Sequence, residues 1–151
     1  MEYISTLKEI FETLAIPLSL LLAVYKLHQN WKAKFIVIGR DNQDRYLELN
    51  KSKGQLYKYF KMIDFSMDKV AEDDHHDLSH LMERFFWYFF HMWIEGHDRK
   101  SLPGYLKRDW DFAIKDAMTK PIFQEFWQAE FRHRNFMNKL EYKRFIDRCL
   151  V

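Results

Sequence analysis

Arg84 and His91 are the residues of this chain whose types and spacing best suit acid–base chemistry. They stand seven positions apart, almost two turns of an α-helix, so a helix puts both on one face. A histidine so placed can act as a general base. The same spacing also fits a buried histidine and an arginine that snorkels out of a structural helix. The spacer over 85–90 reads FFWYFF, all aromatic, and points to a buried pair. A second cluster is His75, His76 and His80. His76 and His80 are at i and i+4, a spacing that can bind a metal from one helix face, with Asp73, Asp77 and Glu83 to add oxygens. No second ligand pair at matching spacing follows, so the cluster reads as an exposed first turn whose acids suit the helix dipole. Neither a metal nor a cofactor is expected. The chain has no nucleophile elbow, phosphate loop, Gly-rich turn or Cys pair.

Helices must position these groups. Four Gly and three Pro in 151 residues leave few turns, and 14 Phe, 8 Tyr and 5 Trp exceed what a disordered chain carries. A chain of this length can bury one core. The lone Cys149 excludes an internal disulfide and fits a reducing compartment. The run LMERFFWYFFHMWI over 81–94 has only Glu83 and Arg84 as charges, and predicts a central helix buried on every side. Asp73 or Asp74 can cap it, and Gly96 offers a stop. Pro103 with Tyr105, Trp110, Phe112 and Ile114 predicts a further helix ending near Lys120. Pro121 opens another, with Phe123, Phe126, Trp127 and Phe131 on its inner side. Leu140, Phe145, Ile146 and Leu150 mark a last short one.

Upstream, Leu56, Tyr59, Phe60 and Ile63 fall at helical spacing over 55–65, and 66–74 is an acidic connection. Residues 35–39 (FIVIG) are β-branched and short, and 45–50 alternate, which suits a small hairpin or an irregular helix junction; the hairpin is expected. Met62, Met67, Met82, Met92, Met118 and Met137 read as core filler. The expected fold is mainly α: a membrane or stalk helix over 1–33, then a four- to five-helix bundle over 34–151 with at most one hairpin.

The first helix is marked by TLAIPLSLLLAVY over 13–25, without a charge. Spanning a bilayer takes roughly 20 mostly apolar residues. Extending back to Ile4 gives 22 residues but admits Lys8, Glu9 and Glu12. Ser5, Glu9, Glu12, Ile16 and Ser19 form one polar stripe that can line a ring of copies, with Glu9, Glu12, Ile16 and Ser19 facing a pore. Leu14, Leu18, Leu21, Leu22 and Tyr25 then face lipid or neighbouring helices. Pro17 would kink an isolated helix. The alternative is an amphipathic helix packed on its own domain. On the membrane reading, the Lys excess after the run puts the C-terminal part on the cytoplasmic side, with Trp31 as a headgroup anchor.

Charge is uneven. Residues 1–25 carry one base and three acids, 26–63 nine and three, 64–83 one and seven, and 84–151 thirteen and nine, for a net of +2. The basic 26–63 block suits anionic headgroups or nucleic acid. Nucleic acid is not expected as the main ligand of a chain so nearly neutral overall.

One N-terminal membrane helix, a basic stretch after it and an aromatic helical domain with R-x6-H resemble the small membrane accessory protein of type VI-B CRISPR systems. R-x(4–6)-H is the signature of HEPN domains, helical bundles that often act as RNases. In them Arg and His of two copies meet at a dimer interface, and the His can serve as general base on a ribose hydroxyl. The resemblance implies a HEPN-like domain on a transmembrane helix in the bacterial inner membrane, assembling with itself into a pore and supporting an RNA-guided nuclease in phage defence. Glu9, Glu12 and Ser19 would then face the channel, and Arg84 and His91 would be a remnant or working HEPN pair. The alternatives are a HEPN-like ribonuclease that its first helix only tethers or dimerises, and a helical adaptor.

Overall fold

Helical periodicity outweighs β-propensity through the first third of the chain. The computed structural model describes residues 2–98, 102–134 and 139–150, without the side chains of 2–12 and 16. One helix, α1, runs over Glu2–Lys51 and includes Pro17. The hairpin expected over 35–50 is therefore absent, and no strand occurs among the described residues. The covered positions explain why. Phe35, Ile38, Asn42, Tyr46 and Leu49 are half-buried or buried, at steps of 3, 4, 4 and 3, which is a helical stripe. Ile36 and Val37, which suggested a strand, point outward. After α1 the chain turns at Gly54, whose φ of 41° lies in the left-handed region that glycine enters at no steric cost.

The chain divides into two units, Met1–Asp41 and Asn42–Val151. The first is α1 up to residue 41. Its ring contact is Trp31 edge-on to Phe35 at 5.4 Å, and Gln29 Nε2 donates to Tyr25 Oη at 3.0 Å. Leu14, Leu18, Leu21, Leu22 and Tyr25, expected to face lipid, are each more than half exposed. However, among the described residues no helix is long and apolar enough to cross a membrane. That finding overturns the transmembrane helix, the membrane pore and the inner-membrane location. The physical reason is length: the uncharged stretch, residues 13–25, covers about 20 Å at 1.5 Å per residue, against about 30 Å of bilayer hydrocarbon. Of the residues expected to face a pore, Ser19 is exposed, and the side chains of Glu9, Glu12 and Ile16 lie outside the described residues.

The second unit is helical around an aromatic core. α2 is short, Tyr57–Phe60, and follows a 3-10 turn, so the helix expected over 55–65 shrinks and Ile63 is exposed. α3, Glu72–Trp93, is the central helix and continues into a π-helical turn, Ile94–Asp98. Gly96 sits inside that turn and is no stop, and Ala71, not Asp73 or Asp74, stands at the helix start. α4 (Gly104–Met118), α5 (Pro121–Ala129) and α6 (Leu140–Cys149) follow. Pro103 and Pro121 open α4 and α5 as expected, because a residue without a backbone N–H loses nothing in the first turn. Phe123 of α5 is the hub, with ring centroids 5.8, 5.4, 6.0 and 5.7 Å from Phe60, Phe85, Phe86 and Phe89. Phe86 stacks on Phe131 at 4.5 Å. α6 is clamped by Asp147, which accepts from Trp127 Nε1 at 2.9 Å and from Arg132 at 3.0 Å. Met82, Met92 and Met118 are core filler as expected, whereas Met137 lies outside the described residues.

Candidate functional site

α3 buries most of its circumference but not all. Leu78, Leu81, Met82, Phe85, Phe86 and Phe89 are buried against the core. A narrow outer strip remains, made by His80, Arg84, Trp87 and His91 at steps of 4, 3 and 4. Arg84 and His91 are both exposed, so the buried pair inferred from the aromatic spacer is wrong. Seven positions bring two side chains to the same side within about 20°, and that side is the uncovered one. Trp87 stands between them on the strip, and its indole stacks on His91 with centroids 5.5 Å apart and planes 23° from parallel. At the start of the strip His80 Nδ1 is 3.9 Å from Glu83 Oε2. Glu83 in turn accepts from Arg134 at 2.6 Å, and the Arg134 guanidinium lies over Phe131 at 4.6 Å. The strip thus carries an exposed imidazole, an exposed guanidinium and a half-buried indole on one face.

The histidine cluster separates. His76 and His80 are exposed, while His75 is half-buried and its Nε2 lies 3.1 Å from Val70 O. Among the described residues no group of three His, Cys, Asp or Glu side chains could hold a metal ion. Beside it, Asp74 accepts from Tyr59 Oη and pairs with Lys58, both at 2.7 Å, and Ala71 N donates to the same Tyr59 oxygen at 3.0 Å. The hydrogen bond from Lys58, then that from Tyr59, holds the Asp74 carboxyl below its ordinary value. This network ties α2 to the start of α3.

Sequence reasoning missed a histidine. His97, in the π-turn, bonds through Nε2 to Asp111 Oδ1 of α4 at 2.8 Å and stacks on Trp93 at 5.4 Å, 9° from parallel. It lies on a cleft of about 590 Å³ lined by Trp93, His97, Asp98, Lys139, Phe145 and Arg148, with Leu140 and Glu141. An ionised carboxylate can only accept, so the Nε2 that faces Asp111 carries a proton. The available signal was Asp111, fourteen residues on, but that pairing requires a turn whose path the sequence does not announce.

No protein-family model matches the chain, and neither a curated protein nor a solved structure does.

Proposed function

We propose that this chain is a HEPN-like helical ribonuclease domain that completes its site by pairing two copies across the outer face of α3. The observation that carries the reading is the joint exposure of Arg84 and His91 on one strip. Beside Arg84 and Trp87 one copy supplies His91, with His80 about three turns back along α3, and cleavage of a phosphodiester needs both a base and an acid at the reacting phosphate. In a pair, His91 takes the proton of a ribose 2′-hydroxyl, whose oxygen attacks phosphorus. The bond from phosphorus to the 5′ oxygen breaks, and the partner's His91, in its protonated form, gives that oxygen a proton. The product ends are a 2′,3′-cyclic phosphate and a 5′-hydroxyl. Arg84 holds the phosphoryl oxygens as their charge grows. Residues 84–151, with thirteen bases against nine acids, draw the strand in. The link to an RNA-guided nuclease in phage defence belongs to the same proposal.

Purified chain incubated with single-stranded RNA tests it. Cleavage leaving cyclic phosphate ends, lost in Arg84→Ala and in His91→Ala, supports the reading. Absence of cleavage by the wild type, or equal cleavage by the double variant, sinks it. The exposed apolar residues of α1 favour a helical adaptor as second reading. A chain that leaves RNA intact but holds a stoichiometric protein partner, released by Leu18→Glu with Leu21→Glu, would favour that adaptor.

A further inference from the structure

We propose that α1 pairs antiparallel with α1 of a second copy of this chain, along a seam of Leu14, Leu18, Leu21 and Tyr25. The contact uses only the first unit and does not rest on the ribonuclease reading. From residue 13 to residue 34 every described side chain is exposed. Residues 13–25 carry no charge, yet all of them that are described stand exposed. A helix stretch without charge on any side is ordinarily buried, and exposed apolar patches of this extent mark contact surfaces.

The spacing points to a helix as the occupant. Leu14, Leu18, Leu21 and Tyr25 follow one another at steps of 4, 3 and 4, the heptad spacing that keeps one seam turned to a partner helix. They are 52%, 56%, 67% and 60% exposed, and Leu22 and Trp31 flank them at 59% and 60%. Side chains of this kind, so exposed, offer on the order of 100 Å² each. The six then give roughly 600 Å² per copy and about 1,200 Å² in a pair, the lower end of a stable specific interface.

Charge fixes the partner and its direction. Residues 1–12 hold Lys8 against Glu2, Glu9 and Glu12, a net of −2. Residues 26–34 hold Lys26, Lys32 and Lys34 and no acid, a net of +3. Two copies side by side in the same direction set like charge against like at both ends. Turned antiparallel, each acidic end meets the other copy's basic end, and the helix dipoles oppose as well. With the two-fold axis between positions 19 and 20, Leu18 packs on the second copy's Leu21 and Leu14 on its Tyr25. One register thus brings seam onto seam and opposite charges together. A surface that is its own complement in pattern and charge closes at two copies through an isologous contact.

Disulfide trapping in the full chain carrying Cys149→Ser tests the proposal, because facing seam residues come within disulfide reach. Leu14→Cys chain mixed with Tyr25→Cys chain under mild oxidation is expected to give a dimer of twice 18.7 kDa, and either variant alone little. Adding Leu18→Glu with Leu21→Glu to both chains should lower the dimer about tenfold or more, because carboxylates then enter the seam. All four positions are exposed, and circular dichroism shows whether each variant stays helical. Adding Arg84→Ala with His91→Ala should leave the dimer yield unchanged, whether or not the chain cleaves RNA. Leu14→Cys chain that dimerises with itself would mean parallel pairing and overturns the proposal. So does a mixture that gives no dimer, or a yield that survives the two Glu substitutions. A stoichiometric foreign protein held on the seam, or flotation with phosphatidylglycerol vesicles in place of cross-linking, overturns it too.

Discussion

The imidazole of His91 rests on the indole of Trp87, one turn back along α3, with centroids 5.5 Å apart. An exposed imidazole is ordinarily free to turn, and the indole restricts it to one side of the strip. On the ribonuclease reading Trp87 is a positioning residue. Trp87→Leu is expected to lower kcat for RNA cleavage by about tenfold while KM changes little, since misplaced groups cost rate before they cost binding. Steady-state kinetics on the variant checks this, and a rise in KM with kcat intact would assign Trp87 to substrate binding instead.

His91→Ala should leave the fold intact. The side chain is exposed, and surface truncations stay within about 0.5 kcal/mol. From the sequence alone the opposite is expected, because Phe89, Phe90, Met92 and Trp93 surround it in the chain. An unfolding free energy in urea lowered by more than about 1 kcal/mol would show that the Trp87 stack is structural.

Phe123→Ala should be among the most damaging substitutions. The ring is 2% exposed and touches Phe60, Phe85, Phe86 and Phe89. Truncating a buried Phe costs about 3–5 kcal/mol, partly as lost transfer energy and partly as the cavity left behind. Chemical denaturation measures it, and a loss below about 1.5 kcal/mol would mean the neighbouring rings collapse into the space.

Tyr59 joins α2 to α3 by accepting from Ala71 N and donating to Asp74. Tyr59→Phe should cost about 1 kcal/mol, the net worth of such a bond with its partners partly able to reach water. Asp74 gives the pH signature. Its folded-state pKa lies below the ordinary 3.8, first through the Lys58 hydrogen bond and then through Tyr59. Its contribution is complete above the ordinary value and disappears as pH falls through the lower folded value. Asp74→Asn should therefore flatten the acid limb of the stability curve below about pH 4, and an unchanged limb would remove Asp74 from the account.

Lys53 is 9% exposed, with its ammonium 4.5 Å from the Phe60 ring centre, 5.3 Å from that of Phe85 and 2.6 Å from Asn50 Oδ1. Burial, with the charge of Lys120 behind it, lowers its pKa to about 8. The folded state thus binds fewer protons than the unfolded one between about pH 8 and 10.5, and stability rises with pH across that window. Lys53→Met should be more stable than wild type at pH 7, and the advantage should shrink by pH 10. Melting curves at both values check it; an advantage that grows with pH would reverse the assignment.

What the sequence determined by itself follows from local rules. Proline is favoured at the start of a helix, so Pro103 and Pro121 located α4 and α5. Aromatic spacing located α3 and most of its inner face, and the brevity of residues 13–25 already weakened a membrane span. The tertiary structure alone decided the rest. FIVI at 35–38 suits strand and helix equally in isolation, and the longer stripe of partly covered positions through Leu49 selects the helix. A helix apolar on nearly every side does not reveal which strip its neighbours leave open; the packing around α3 left Arg84 and His91 exposed with Trp87 half-buried between them. His97 and Asp111 are ordinary residues fourteen positions apart until the π-turn carries one to the other at 2.8 Å. Distances along the chain become contacts only when helices pack, because side-chain reach is a few ångströms and the path between such residues is set by the whole core.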